Sequence, residues 1–456
     1  MNATILKYKN KIKSFDNPFI NAIIKHSLKY FSATIISAIV GMMMNKYYTF
    51  VFSPAKFGIL SLYLTLFNYM QNLIAFNIDA SAQRVYFDYK GEERKQFLGT
   101  VLIFMTSSAV FWLLVSFFMK DIVVKNFGGN GLMFYITMLL SVAFMYFNFF
   151  NRIGFNEHLS NLVFRQGLIQ TIVNHLGSFL LITYIKLDIL GRQLAQLLAF
   201  CINVFFYGKK LRHSGYLNVE FTFKLYMLRR LAHFALPSFC STVLVATFSY
   251  LDRIFLNYYH GAKEVGIYSL GFTVGQGISF AVEAVSMAMF PCLMNELQKE
   301  YKTNIKKLKQ FDLIFCIGLV LMGLFVYGFR DLIIKILSNH NYQNAADVLP
   351  FVAFGFVLGG FYKAVSSVLS FHNVVWFYPI LSGVSFSFTA VLNFLLIPKF
   401  NIIGAAYANF LGLFLYSLAI HIIGSKYYFK LHHIFIIYGC IFTFITILFL
   451  RLALII

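Results

Sequence analysis

The chain has 456 residues, 59% of them hydrophobic and only 12% charged, with a mean hydropathy of +0.72. A soluble domain is about 25% charged, so the composition excludes a soluble globular fold and leaves no length for a sizeable domain outside the membrane. The net charge of +21 would fit a nucleic-acid binder, but its distribution along the chain points elsewhere.

The N-terminal segment, 1–27, is basic (Lys7, Lys9, Lys11, Lys13) and reads as cytoplasmic. The first apolar run begins near Phe31 and continues past Met44 to Phe52 with no small-residue cleavage site, so it reads as an uncleaved span. Runs of about 20 apolar residues, the length a helix needs to cross a bilayer, then recur to the C-terminus. They predict spans at 28–52, 58–83, 97–119, 131–151, 162–185, 189–207, 232–258, 265–290, 311–329, 347–371, 375–397, 402–424 and 434–455. The chain is therefore expected to be an all-α polytopic membrane protein. Its expected divisions are an N-lobe of six helices (28–207), a basic amphipathic connector (208–231), a C-lobe of six helices (232–424) and an extra C-terminal segment (425–456) of one or two helices. The connector carries Phe221, Phe223, Leu225, Tyr226 and Leu228 among lysines and arginines, as a segment lying on a membrane surface does.

Charge placement supports this count. With the N-terminus cytoplasmic, 25 of the 38 Lys and Arg residues fall on the inner side and 11 on the outer, while Arg253 and Lys363 lie within spans. Such a bias sets orientation and draws the protein to anionic lipid head groups, which removes the reason to invoke nucleic acid. Cys201, Cys240, Cys292, Cys316 and Cys440 are scattered and form no Cys-x-x-Cys pair. They read as packing residues, with no metal or redox site implied. All hydrophilic loops are short, the longest outer one lying near 330–346, which disfavours an enzyme acting on a large polar substrate.

Two landmarks recur. Gly58-Ile59-Leu60-Ser61-Leu62 returns as Gly266-Ile267-Tyr268-Ser269-Leu270, an offset of 208. Lys186-Leu187-Asp188-Ile189-Leu190-Gly191 returns as Lys399-Phe400-Asn401-Ile402-Ile403-Gly404, an offset of 213. Matched landmarks with nearly equal offsets imply two halves of similar design. Six spans in each half make them parallel repeats, an arrangement common in transporters that bind cargo between the halves.

Ser53-Pro54-Ala55-Lys56-Phe57-Gly58-Ile59-Leu60-Ser61-Leu62 resembles the turn between the first two helices of bacterial Wzx-type oligosaccharide flippases. These are polysaccharide transporters of the superfamily that also contains the multidrug (MATE) exporters. Ala75-Phe76-Asn77-Ile78-Asp79-Ala80 with Arg84, Leu236-Pro237, Ser249 to Ile254, Val265 to Ser269, Phe290-Pro291 and Ile403-Gly404 also fit, so the resemblance runs from about 26 to 425. Pro54, Gly58, Pro237, Gly266, Pro291 and Gly404 would shape its helix turns. Asn77 stands where that family often has glycine.

The resemblance implies a twelve-helix, MATE-like core in two lobes that opens alternately to each side. The implied cargo is an undecaprenyl-diphosphate-linked oligosaccharide, moved from the cytoplasmic to the outer leaflet of the bacterial inner membrane for O-antigen, capsule or exopolysaccharide assembly. A polysaccharide polymerase with its chain-length machinery would be the partner taking the product. Competing readings are a multidrug/cation antiporter on the same fold, a lipid-II flippase and, less favoured, a membrane polysaccharide polymerase.

A charge at the bilayer centre costs about 2.5–3.5 kcal/mol on insertion scales, so intramembrane charges are the candidate site. Subtracting 208 from Arg253 lands one position from Lys46. The two are expected to attract the diphosphate, Arg253 through its planar fork, unless Asp252 pairs with Arg253 locally. Lys363 is a third candidate cavity cation. Arg84 and Arg152, at cytoplasmic helix ends, would receive the head group or simply mark topology. Asp79 and Glu283 are candidates for H+ or Na+ coupling or for counter-ions. His175 and His421 read as packing or lumen-lining. The chain has no G-x-x-x-x-G-K-[ST] nucleotide motif, and no cofactor or metal is expected.

Overall fold

The computed structural model describes residues 36–280, 282–283, 286, 301–371, 377–425 and 432–454. The basic N-terminal segment, Pro291, Cys292, Lys426 and Lys430 lie outside them. Among the described residues all regular structure is helical, and each expected span is occupied by helix. The helices are α1 (36–51), α2 (Pro54–Ala75), α3 (Ile78–Val85), α4 (Gly91–Phe127), α5 (Gly131–Asn156), α6 (Ser160–Thr183) and α7 (Asp188–His213). There follow α8 (Leu225–His260), α9 (Ala262–Gly275), α10 (Tyr301–Gly328), α11 (Arg330–Leu337), α12 (Ala345–Phe371) and α15 (His432–Ala453). The stretch Tyr378–Gly424 is broken at Asn401 into α13 (378–400) and α14 (402–424). Six of these helices are long and apolar enough to cross a membrane, or up to eight if each of two bent pairs is one span. The chain is an all-α polytopic membrane protein.

The breaks follow from local chemistry. Phe76 and Asn77 both have positive φ, and α2 and α3 meet there at 46°. Asn visits this left-handed geometry more readily than most side chains do, so it does the work glycine does elsewhere. Ser108 Oγ donates to Ile74 O at 2.7 Å, satisfying a carbonyl beside the break. The second repeated landmark is a second such device. Asp188 and Asn401, related by the offset of 213, have φ of 53° and 49°. Three residues on, Gly191 and Gly404 let the new helix start against the old one: a Cβ at Gly404 would sit 2.6 Å from Leu396 O.

Three expectations need correction. Pro237 lies inside α8 and not at a turn. The 330–346 loop is mostly structured: α11 turns 68° from the preceding helix and Tyr342 is fully buried. Only Cys316 of the described cysteines is buried, whereas Cys201, Cys240 and Cys440 are exposed.

By internal contacts the chain forms two compact units. Unit one holds residues 36–41, Ile74–Leu114 and Met138–Leu236; unit two holds Met42–Leu73, Val115–Thr137 and the described part of Pro237–Ile456. In unit one, α6 and α7 form a tight hairpin. The connector, without regular structure over 218–224, passes over α4 at Gly99, where a side chain would strike Glu220 O. Thr100 Oγ1 donates to Thr222 O at 3.1 Å, while Phe221 and Phe223 stay exposed. In unit two, α12 is the central helix, with Phe351, Val352, Ala353, Val357, Leu358 and Phe361 all sealed from solvent. The extra helix α15 docks through Tyr438, which contacts Ser417 at 2.5 Å and His421 Nδ1 at 3.0 Å.

Candidate functional site

Within unit two, the first repeated landmark meets its own copy. Gly58 on α2 lies against the backbone of Ala262 on α9, and Gly266 on α9 lies against the backbone of Pro54 on α2. Both contacts relate residues through the offset of 208: Pro54 to Ala262 and Gly58 to Gly266. A Cβ at either glycine would overlap the opposing carbonyl oxygen. The Ser61 and Ser269 hydroxyls, also 208 apart, share a hydrogen bond of 2.6 Å. The crossing is thus self-complementary, like an isologous contact between identical subunits, and small residues permit the close backbone approach that membrane helices use.

Polar contacts extend this junction at the same end of the helices. Tyr63 Oη donates to Gly128 O at 3.0 Å, Tyr342 Oη to Phe52 O at 2.9 Å and Asn257 Nδ2 to Asn126 O at 2.6 Å. Thr49 Oγ1 reaches Leu337 O at 3.3 Å. Turns from several helices are therefore stitched together around the crossing.

Next to it sits a buried ion pair. Arg253 is 6% exposed and Asp252 2%. Arg253 Nη1 lies 3.2 Å from Asp252 Oδ1, Tyr268 Oη donates to Asp252 Oδ2, and the guanidinium stacks 4.6 Å over the Phe272 ring. The local pair is present, and Arg253 is held by it, whereas Lys46 is exposed. Lys363 is half-buried on α12, which stays continuous there, and Glu283 is exposed.

In unit one, Asp79 is buried in the first turn of α3, where the helix dipole favours a carboxylate. Its Oδ2 lies 3.6 Å from Arg152 Nε, and Arg152 Nη1 donates to Gln83 Oε1 at 2.9 Å. Arg84 is exposed, with its guanidinium 4.1 Å over the Phe234 ring.

A group not anticipated from charge lines a cavity of about 460 Å³ in unit one. Its polar walls are Ser37 of α1, Asn151 of α5, Gln170, Thr171, Asn174 and His175 of α6, and Gln196 of α7. The signal was present in sequence: Gln166, Gln170, Asn174 and Ser178 recur every fourth residue, which places them along one side of a helix. His421, by contrast, is buried against Tyr438 in unit two. No group of His, Cys, Asp or Glu side chains suited to a metal occurs among the described residues.

The chain matches the family described as "Polysaccharide biosynthesis protein" over residues 23–296, more than half its length, and the MatE family over residues 237–395. It is 23% identical to an uncharacterized membrane protein of Methanocaldococcus jannaschii over 428 residues, 88% of this chain and 83% of that one. Its fold is similar to the lipid II flippase MurJ in an inward closed conformation, with a TM-score of 0.71, 15% identity and coverage of 93% of this chain and 97% of the other. It is also similar to an inward-facing multidrug resistance MATE family transporter of the MOP superfamily, with a TM-score of 0.66, 13% identity and coverage of 86% and 94%. The chain belongs to the polysaccharide biosynthesis protein family.

Proposed function

We propose that this protein is a flippase that moves undecaprenyl-diphosphate-linked oligosaccharide repeat units from the cytoplasmic to the outer leaflet of a bacterial inner membrane, for O-antigen, capsule or exopolysaccharide assembly. The observation that carries the reading is the self-complementary α2–α9 crossing. Transport by alternating access needs a junction at one face that can close and part, and two repeat-related hairpins meeting through glycine and serine supply one. With the N-terminus cytoplasmic, that junction is at the outer face. The family's link to polysaccharide biosynthesis supports the cargo class.

In this reading Arg84 and Arg152 receive the diphosphate at the cytoplasmic end, while Lys46 and Lys363 attract it further along. Arg253, already neutralised by Asp252, supports the junction more than the ligand. Deletion of the gene followed by analysis of lipid-linked glycans tests the function. Accumulation of cytoplasm-facing undecaprenyl-diphosphate oligosaccharide is expected, and unchanged surface polysaccharide would sink the reading. Accumulation of the peptidoglycan precursor instead would assign the lipid-II activity.

A further inference from the structure

We propose that the cavity inside unit one binds an uncharged, hydroxyl-rich ligand, namely sugar residues of the glycan. The identity of the natural cargo rests on the flippase reading; the chemistry of the cavity does not. Its volume of about 460 Å³ lies within the range of small-ligand sites, about 300–1,000 Å³. Its walls combine amide side chains with phenylalanine rings from α5, α6 and α7.

The amides are oriented. Arg192 Nη1 donates to Asn174 Oδ1 at 2.6 Å and to Gln196 Oε1 at 3.1 Å. Asn203 Nδ2 donates to Gln170 Oε1 at 2.8 Å. With their carbonyl oxygens engaged, Asn174, Gln170 and Gln196 present NH2 donors. Asn151 Oδ1 and His175 Nδ1 are buried acceptors or, for the imidazole, a tautomer-dependent donor, and neither has a hydrogen-bond partner among the described residues. A buried polar atom left unmatched costs about 1–3 kcal/mol, so the walls call for a ligand that both donates and accepts.

Sugar hydroxyls do both, and the apolar face of a sugar ring suits an aromatic wall. The other classes fit less well. Among the described residues no carboxylate lines the cavity, which disfavours a cationic drug. Arg192, which donates to Asn174 and Gln196, is occupied in holding them, which disfavours the diphosphate. A lipid chain would leave the NH2 groups of these amides and Asn151 Oδ1 unmatched.

The test uses the full-length protein in nanodiscs and two labelled probes, bare undecaprenyl diphosphate and undecaprenyl-diphosphate-linked disaccharide. Asn151→Leu and Gln170→Leu are expected to weaken binding of the glycosylated probe by about tenfold, the loss of one well-placed hydrogen bond. Binding of the bare lipid should stay within about twofold. Equal loss on both probes, or none on either, overturns the proposal. A second arm places Asn151→Cys in the cavity and follows its reaction with a maleimide. Millimolar cellobiose should slow that reaction several-fold while inorganic phosphate leaves it unchanged; indifference to cellobiose overturns the proposal. Wild-type protein that binds neither lipid while cellobiose still protects the cysteine would refute the flippase reading and leave the cavity assignment standing.

Discussion

A methyl group at Gly58 has nowhere to go. Its position is taken by the carbonyl oxygen of Ala262, and the same holds for Gly266 and Pro54. Backbone cannot rotate aside as a side chain would, so Gly58→Ala and Gly266→Ala should each cost at or above the upper end of the usual overpacking range, about 1–3 kcal/mol. Near-equal losses of thermal stability in the two variants are the expected result, and a large inequality would show that the two halves do not share the contact evenly. Ser61→Ala should do far less. Interhelical hydrogen bonds in membranes are worth about 0.6 kcal/mol, so packing, more than the hydroxyl pair, holds the crossing. The Arg253–Asp252 pair obeys a different rule. Removing one partner of a buried ion pair costs about 3–5 kcal/mol because the other charge is stranded, while replacing both with apolar residues can be neutral. Asp252→Leu should therefore destabilise strongly and Asp252→Leu with Arg253→Met should recover most of the loss, as read by thermal unfolding in detergent. A double variant no better than the single one would mean that Arg253 has a further role beyond this pair.

At the scale of the element, left-handed Asx residues stand at three of the helix breaks, with Phe76 and Lys186 also left-handed beside two of them. Asn77, Asp188 and Asn401 each hold positive φ, which costs an ordinary L-residue about 1–2 kcal/mol. Replacement by glycine should leave stability and transport near wild type at all three positions, whereas Asn77→Val, β-branched and unable to bond locally, should cost about that amount or more. A valine variant as stable as the glycine variant would show that the break is not held by the backbone of residue 77. These breaks explain what was legible in the sequence. Apolar run length located the long described helices but not α11, which lies in the expected 330–346 loop, nor the division of 58–83 into α2 and α3; the repeated Lys-x-Asx-Ile-x-Gly landmark marks the turns before α7 and α14. What the apolar signal does not contain is the direction a side chain faces. Pro237 read as a turn residue through the family resemblance, yet the surrounding helix continues through it. A rule that ranks charges found Asp79, Arg152, Asp252 and Arg253, all of which are paired. It passed over the amides at 170, 174 and 196, whose spacing is helical but whose chemistry is neutral.

For the whole molecule, the repeat turns from a record of duplication into a mechanical statement. Two halves of parallel design can be related by an axis along the membrane normal, and a contact on such an axis must join each residue to its own repeat. Ser61 with Ser269, and Gly58 with Gly266, meet that condition within unit two. A contact that is self-complementary is also one that opens symmetrically, because moving one half breaks every equivalent bond at once. The Ser61 and Ser269 hydroxyls are close enough, at 2.6 Å, that cysteines there would fall within disulfide range, where Cβ atoms lie about 3.5–4.5 Å apart. The variant carrying Ser61→Cys and Ser269→Cys is expected to oxidise without added cross-linker. If transport requires this junction to part, the oxidised protein should no longer release lipid-linked glycan at the outer leaflet, and dithiothreitol should restore it. Reconstituted vesicles loaded with undecaprenyl-diphosphate disaccharide provide the measurement. Full transport by the cross-linked protein would make the crossing a fixed scaffold, and the moving junction would then have to be sought among the helices on which the repeat leaves no mark.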